Sequence, residues 1–326
     1  MARRDATLHD VARKVGVSTR TVSRVVRGEQ GFSAETEAKV RAAIEELGYR
    51  PNLLARGLVS GRSGTIGLVG GDMSDPFFPE LADGVQRAAR DRGITMFFGT
   101  MDNEPDRQQS VLDSLVSHGA DGVIVFPAAG TDEQLRGFAE AGLRIVSVDH
   151  PVTGHNISAV MSDITGGAHA AVGHLRERGR SRIGFIGNAT SVAQRRRGAY
   201  EAALGDEAEV CVELDEATSS GGIAATARLI ERHPDLDGIF AYNDVMAIGA
   251  IQHLTASGRR IPDDIAIVGF DDIEVGAFIT PPLSTVRIDR LRLGRTAVDL
   301  LLTMMNGERT EVTTLLPVEL IVRSSS

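Results

Sequence analysis

The stretch Thr7–Leu58, TLHDVARKVGVSTRTVSRVVRGEQGFSAETEAKVRAAIEELGYRPNLLARGL, carries three short helical patterns and a tail that opens on a proline. Thr7 stands three residues before Asp10, the spacing of a capping box that satisfies orphan backbone donors at a helix start. Leu8, Val11 and Val15 then share one face. Gly16 follows where a tight turn between helices demands a positive φ, and Ser18 can cap the next helix. In that second helix Val22, Val25 and Val26 form the inward stripe, leaving Thr19, Arg20, Ser23, Arg24 and Arg27 outward or on the rim. Ser33 opens a third helix with Val40, Ile44 and Leu47 inward, closed by Gly48 and followed by Pro51.

A short helix with a polar, short-armed and basic outer face suits a DNA major groove. Arg pairs bidentately with guanine O6 and N7 there, and Ser or Thr reach bases or phosphates. Arg20 is the expected base reader. The pattern alone also describes a small helical bundle with a solvated basic face, and the charge distribution shows where the basic residues lie. Met1 to Arg62 holds 12 Lys plus Arg against 7 Asp plus Glu, a balance of +5, within a 326-residue chain of net charge −9. The remainder is therefore −14, so positive charge is confined to one module on an acidic body with another task.

Beyond the linker Val59–Gly64, VSGRSG, the chain alternates. Apolar runs at Thr65–Val69, Thr95–Phe98, Gly122–Phe126 and Arg144–Val148 predict strands, with helices over Phe78–Arg92, Pro105–His118 and Asp132–Ala141 between them. The alternation resumes after His150, with strands near Arg182–Ile186, Val210–Glu213, Gly238–Ala241 and Ile265–Val268. Continuous apolar runs such as IVSV, IGFI and GIFA read as parallel strands buried on both faces. The expected body is thus α/β: two doubly wound parallel-sheet halves joined by crossings. Ligands of such sheets bind outside the carboxyl ends of the strands, which makes Asp149, Asn243, Asp244, Asp271 and Asp272 candidates. Each could equally cap the helix that follows its strand.

The motifs DVA, GVS, TVSRV, the S-x-x-T of Ser18 to Thr21, and GYRPN-x-x-A-R-x-L resemble the headpiece of the lactose-repressor and purine-repressor family of bacterial transcription regulators. That resemblance implies an all-α helix-turn-helix headpiece over residues 1–50, a hinge helix and linker over 51–64, and a periplasmic-binding-protein-like body of two subdomains over 65–326. It implies DNA contacts from Thr7, Ser18, Thr19, Arg20, Thr21, Ser23 and Arg24. It also implies that Asn52, Ala55 and Leu58 lie on a hinge helix in the minor groove, Leu58 wedging between base pairs beside its counterpart from a second subunit. Such a wedge unstacks a base step at a few kcal/mol and permits a bend that brings more protein onto the duplex.

The body resembles the family's effector domain through DPFF at Asp75–Phe78, VDHP at Val148–Pro151, YND at Tyr242–Asp244, VGFDD at Val268–Asp272 and PPLST at Pro281–Thr285. By register with the family, Phe77, Phe78 and Phe126 are expected as pocket aromatics. Asp149 and Arg195 are expected as polar ligands beside the hinge, and Asn243 and Asp271 as contacts from the second half. Arg195, Arg196 and Arg197 are successive residues about 100° apart on a helix, so one alone can face the cleft squarely, and Arg195 is in register. The other two are expected to be solvated or paired. Where relatives often place an aromatic five residues before a second-half glycine, this chain has Ala217 before Gly222. A missing stacking plate disfavours a flat purine and favours a small sugar or polyol.

Walker, G-x-G-x-x-G, G-x-S-x-G and H-E-x-x-H motifs are absent, which argues against an enzyme. The eight histidines are scattered, His169 and His174 lack i, i+4 facing, and the single Cys211 allows neither an internal disulfide nor a zinc knuckle. No cofactor and no metal are expected. No run approaches the roughly 20 apolar residues of a membrane span and no signal-peptide core follows Met1, so a cytoplasmic protein is expected. The C-terminal VELIVRSSS carries no leucine-heptad helix, so the expected assembly is a homodimer on pseudo-palindromic operator DNA. The expected function is a repressor released by its effector, with corepressor-dependent repression, or small-molecule binding without regulatory DNA binding, as alternatives.

Overall fold

The computed structural model describes residues 6–26, 29, 31–49, 62–71, 73, 75–101, 104–152, 154–205, 209–308 and 311–326. The chain forms two compact units, Met1–Gly64 and Thr65–Ser326.

In the first unit, α1 (Leu8–Val15), α2 (Thr19–Val26) and α3 (Ala34–Leu47) enclose a miniature core. The capping box is present: Asp10 N–H donates to the Thr7 hydroxyl at 3.3 Å, and Thr7 N–H donates to the Asp10 carboxylate at 2.9 Å. Gly16 sits at φ 74° and turns the chain between α1 and α2, while Ser18 Oγ accepts from Thr21 N–H at 3.1 Å. Ser33 caps α3 by accepting from Thr36 N–H, and Gly48 closes it in the left-handed region. Val11, Val22, Val25 and Val40 are fully buried, with Ala12 and Ala43 beside them. Leu8, Val15, Val26, Ile44 and Leu47 are only partly buried, so the small alanines, not every predicted large residue, occupy the closest helix approaches.

The second unit contains, among the described residues, two six-stranded sheets. The first has β1 (Thr65–Gly70), β2 (Thr95–Thr100), β3 (Val123–Val125), β4 (Ile145–Val148), β5 (Ile157–Ser162) and β11 (Thr313–Leu316), in the order β11-β5-β4-β3-β1-β2. Every pairing in it is parallel. The second has β6 (Ile183–Gly187), β7 (Cys211–Leu214), β8 (Gly238–Ala241), β9 (Ala266–Asp271), β10 (Ser284–Arg287) and β12 (Glu319–Ile321), in the order β12-β10-β9-β8-β6-β7. It is parallel except for β10 with β12. β1, β3, β4, β6, β8 and β9 are buried along their length, which explains their uninterrupted apolar sequences.

Helices α4 (Phe77–Asp91), α5 (Pro105–Ser117) and α6 (Asp132–Glu140) belong to the first sheet, and α7 (Ile164–Glu177), α8 (Ser191–Leu204), α9 (Ser219–Arg232) and α10 (Asp244–Ala256) to the second. The chain crosses between the halves three times: after β5, after β10 into α11 (Arg290–Met305), and between β11 and β12. α11 returns to the first half and lies against α4. Gly84 and Gly294 permit that contact: a Cβ on Gly84 would come 2.8 Å from Leu291 O, and one on Gly294 2.7 Å from Leu81 O.

β5, β10, β11 and β12 lie outside the predicted strands. β11 and β12 are short edge strands with half-exposed residues, and β5 and β10 dilute their apolar residues with Ser, Thr and Arg, so none reads as an apolar run. β9 extends beyond the predicted Val268 to include Asp271. Among the described residues, no helix is long and apolar enough to cross a membrane.

Candidate functional site

In each sheet the strand order reverses at one point, between β1 and β3 in the first and between β6 and β8 in the second. A crevice opens at such a reversal, outside the carboxyl ends of the strands. Phe77 and Phe78 start α4, the helix that follows β1, and Phe126 follows β3, with its N–H donating to Val69 O at 2.8 Å. The three rings form one edge-to-face cluster with centroids 5.1 to 5.8 Å apart. Asp75 holds the start of α4 by accepting from Phe77 N–H at 3.0 Å.

Asp149 ends the neighbouring strand in the left-handed region, at φ 47° and 1% exposure. Ser162 serves both its oxygens, through its N–H at 2.5 Å and its hydroxyl at 3.1 Å. Burial pushes the Asp149 carboxyl above its ordinary range, against those hydrogen bonds and the nearby Arg196 and Arg195 charges. From the other half, Arg195 on α8 donates to the backbone oxygen of Asp149 at 2.5 Å. That bond spans the cleft.

Arg196 turns the other way. Its guanidinium lies 3.6 Å from the Phe270 ring centroid and 4.8 Å from that of Tyr242, donates to Tyr242 O, and stands 3.6 Å from an Asp271 carboxylate oxygen. It is 2% exposed, and its Nε is buried without a hydrogen-bond partner. Arg196 is thus paired and not solvated, whereas Arg197 pairs on the surface with Glu201 at 2.6 Å. The roughly 100° step between successive helical residues directs Arg195 to the first half and Arg196 down onto the strand ends of the second.

Asp271 is buried at φ 106°, and burial pushes its carboxyl well above the carboxylate range, opposed by Arg196 and assisted by Asp244 and Asp75. Asp75 also bears on Tyr242, whose hydroxyl burial pushes up to about 12. Asn243 caps α10, its Oδ1 accepting from Met246 N–H at 2.9 Å. Asp244 points away from the crevice into the second half, accepting from Thr285 Oγ1 at 2.6 Å and Ile273 N–H at 2.9 Å. Asp272 accepts from Arg323 at 2.6 Å and Arg287 at 2.7 Å; burial would push its carboxyl up, but these bonds hold it below the ordinary value. Asp244 and Asp272 therefore serve the fold.

Arg290, absent from the sequence-based candidates, links the halves at the second crossing. Its Nε donates to Glu80 at 2.7 Å, its Nη2 to Asp272 O at 3.1 Å and its Nη1 to Asp271 O. Beside it a cavity of about 550 Å³ is lined by Glu80, Asp272, Arg287, Arg290 and Glu319. It lacks the aromatic wall, and the five charged residues named are paired with one another.

In the headpiece Arg20 is exposed, while Thr19, Thr21, Ser23 and Arg24 are half-buried. Arg24 donates to Glu29 at 3.1 Å and covers the Phe32 ring at 5.7 Å, which pulls it to the rim. The Thr7 and Ser18 side chains are engaged in caps. Asn52, Ala55 and Leu58 lie outside the described residues.

Residues 7–52 match the lacI family of bacterial regulatory proteins, and residues 172–326 a periplasmic-binding-protein-like domain. The ribose operon repressor of Halalkalibacterium halodurans is 35% identical over 98% of this chain and 97% of that protein. The chain belongs to the lacI family. Among solved family structures, the lac repressor dimer bound to operator and the anti-inducer ONPF superposes with a TM-score of 0.86 at 26% identity, over 99% of each chain. A complex of the transcriptional regulator CelR with cellobiose has a TM-score of 0.73 at 32% identity, over 98% of this chain and 100% of that one. These lacI-family relatives are transcriptional regulators, and the helix-turn-helix headpiece and two-sheet body of this chain are the family's architecture.

Proposed function

We propose that this lacI-family chain is a cytoplasmic, dimeric repressor that binds a pseudo-palindromic operator and leaves it when a small sugar or polyol enters the crevice. The observation carrying the effector reading is the bond from Arg195 of the second half to Asp149 of the first, at strand ends that also carry Asp271, held beside Arg196, and the Phe77, Phe78 and Phe126 cluster. Carboxylates and a guanidinium match the donors and acceptors of vicinal hydroxyls, and aromatic faces match the apolar C–H face of a sugar ring. The names of the ribose operon repressor and the CelR–cellobiose complex favour the same class. Asn243 contributes from the start of α10.

Arg20, exposed on α2, is the proposed base reader, supported by Thr19, Thr21, Ser23 and Arg24 along the same helix and by Thr7 and Ser18 at the caps. Dimerisation is favoured by exposed apolar residues on the edge strand β2, Phe97 and Phe98, and by Phe278, which is 78% exposed. An effector that prefers one relative orientation of the halves would reset how the two headpieces meet DNA.

A thermal-shift screen of the purified protein against sugars, polyols, their phosphates and purines tests the effector class. A sugar or polyol should raise the melting temperature of the wild type and not of Asp149→Ala or Arg195→Ala. Stabilisation by purines alone would overturn the reading.

A further inference from the structure

At the opposite end of the second sheet from the crevice, where β6, β7 and β8 begin, three ligand-bearing side chains converge. Cys211 is the first residue of β7, His233 ends α9, and Glu209 precedes β7. Their ligand atoms all lie within 4.8 Å of one another. We propose that Glu209, Cys211 and His233 bind one thiophilic divalent cation, of which Zn²⁺ is the type, with solvent in the fourth position.

Thiolate, imidazole and carboxylate together form a borderline-soft donor set that selects zinc-like ions over magnesium or calcium. The carboxylate is already oriented. Arg182 donates from Nη2 to Glu209 Oε2 at 2.5 Å and from Nη1 to Asp235 at 2.5 Å, which leaves Glu209 Oε1 turned toward His233 Nδ1 at 3.4 Å. One oxygen is anchored by a positioning residue, and the other faces the imidazole. Anchoring of this kind around the ligands is what a metal site needs to hold its geometry.

Charge supports the same conclusion. With the thiol ionised, Glu209, Asp235 and Cys211 carry three negative charges against one on Arg182, leaving two for a divalent ion to neutralise. Binding therefore displaces one proton: the S–H bond breaks, a metal–sulfur bond forms, and the proton passes to solvent. The 21 residues between Cys211 and His233 match no metal-binding spacing, which is why the sequence points to no metal.

The site ties the start of β7 to the end of α9. It lies far from the strand-end crevice, so its role is to clamp the rim of the second half.

The test is a Co²⁺ titration of tag-free, reduced, metal-stripped full-length protein, followed by absorbance. A sulfur-to-cobalt charge-transfer band in the near ultraviolet should saturate at one Co²⁺ per chain, and excess Zn²⁺ should abolish it. Cys211→Ser should remove the band. His233→Gln and Glu209→Gln, both at the rim, should fold and weaken binding; losing even an outer-shell partner costs about 10–100-fold, so losing a ligand should cost no less. Three results would overturn the site: no charge-transfer band, a band of unchanged affinity in His233→Gln and Glu209→Gln, which would mark a simple thiol adduct, or Zn²⁺ stoichiometry unaltered in Cys211→Ser.

Discussion

Replacing Asp244 by Asn should change how the stability of the body depends on pH. Asp244 is fully buried and receives hydrogen bonds from the Thr285 hydroxyl and the Ile273 N–H, yet burial dominates and pushes its carboxyl to about 7. A carboxyl raised in the folded state keeps its proton where the unfolded chain has lost it. Its stabilising contribution is therefore complete below the unfolded value near 4 and is lost as pH rises through about 7. Linkage with these two values gives a loss of about 2 kcal/mol between pH 5.5 and pH 7.5. For a body of this size that corresponds to roughly 4–8 °C in melting temperature. Asn keeps an acceptor for Ile273 N–H and offers its amide to the Thr285 oxygen, so the fold should survive. Calorimetric melting of both proteins across this range, with the wild-type curve subtracted from that of the variant, cancels other titrating groups. The difference should rise with pH in favour of Asp244→Asn. A difference that stays flat within about 0.5 kcal/mol would refute the reasoning, because a carboxyl titrating near 7 must lose about 2 kcal/mol across this range.

Three further outcomes are expected. Arg196→Met removes one partner of a buried ion pair with Asp271 and should cost about 3 kcal/mol in denaturant unfolding at neutral pH; a loss under about 1 kcal/mol would mean the guanidinium is not holding the strand ends together. Gly84→Ala should separate α4 from α11, destabilise the body by about 1–3 kcal/mol and disturb the Glu80–Arg290 bond; wild-type unfolding would show that the helices part freely. Arg20→Ala should relax preference at one operator base pair by about 1–3 kcal/mol in a binding-site selection. An equal loss on every sequence would reassign Arg20 to phosphate contact.

The headpiece was legible because its signals are local. Thr7 with Asp10, Gly16, Ser18, Ser33 and Gly48 each act within a few residues, and the structure places each in the predicted cap or turn. The buried central strands were legible as apolar runs. β5, β10, β11 and β12 were not, because Ser and Thr in β5 and β10 are satisfied by distant partners, as when the Ser284 hydroxyl accepts from Arg323 N–H, and because β11 and β12 are half-solvated edges. At the candidate site, strand-end reasoning pointed to Asp149, Asn243, Asp244, Asp271 and Asp272 together. What separates them is where their neighbours come from: Asp244 and Asp272 are bonded within the second half, whereas Asp149 receives the Arg195 bond across the cleft on its backbone oxygen and Asp271 faces Arg196. Arg196 was hidden because its packing depends on Phe270 and Tyr242, which helical periodicity does not reach. Arg290 was hidden because Glu80 lies 210 residues away.

The central claim is that the crevice and the headpiece are energetically coupled. The most direct measurement is fluorescence anisotropy of a selected operator duplex titrated with the protein at fixed salt, without and with the sugar or polyol that stabilises it. The account predicts operator affinity lowered by about 5–150-fold, the usual range of allosteric coupling. The loss should vanish in Asp149→Ala. Operator affinity unchanged at saturating effector, or raised by it, would contradict release as the mechanism.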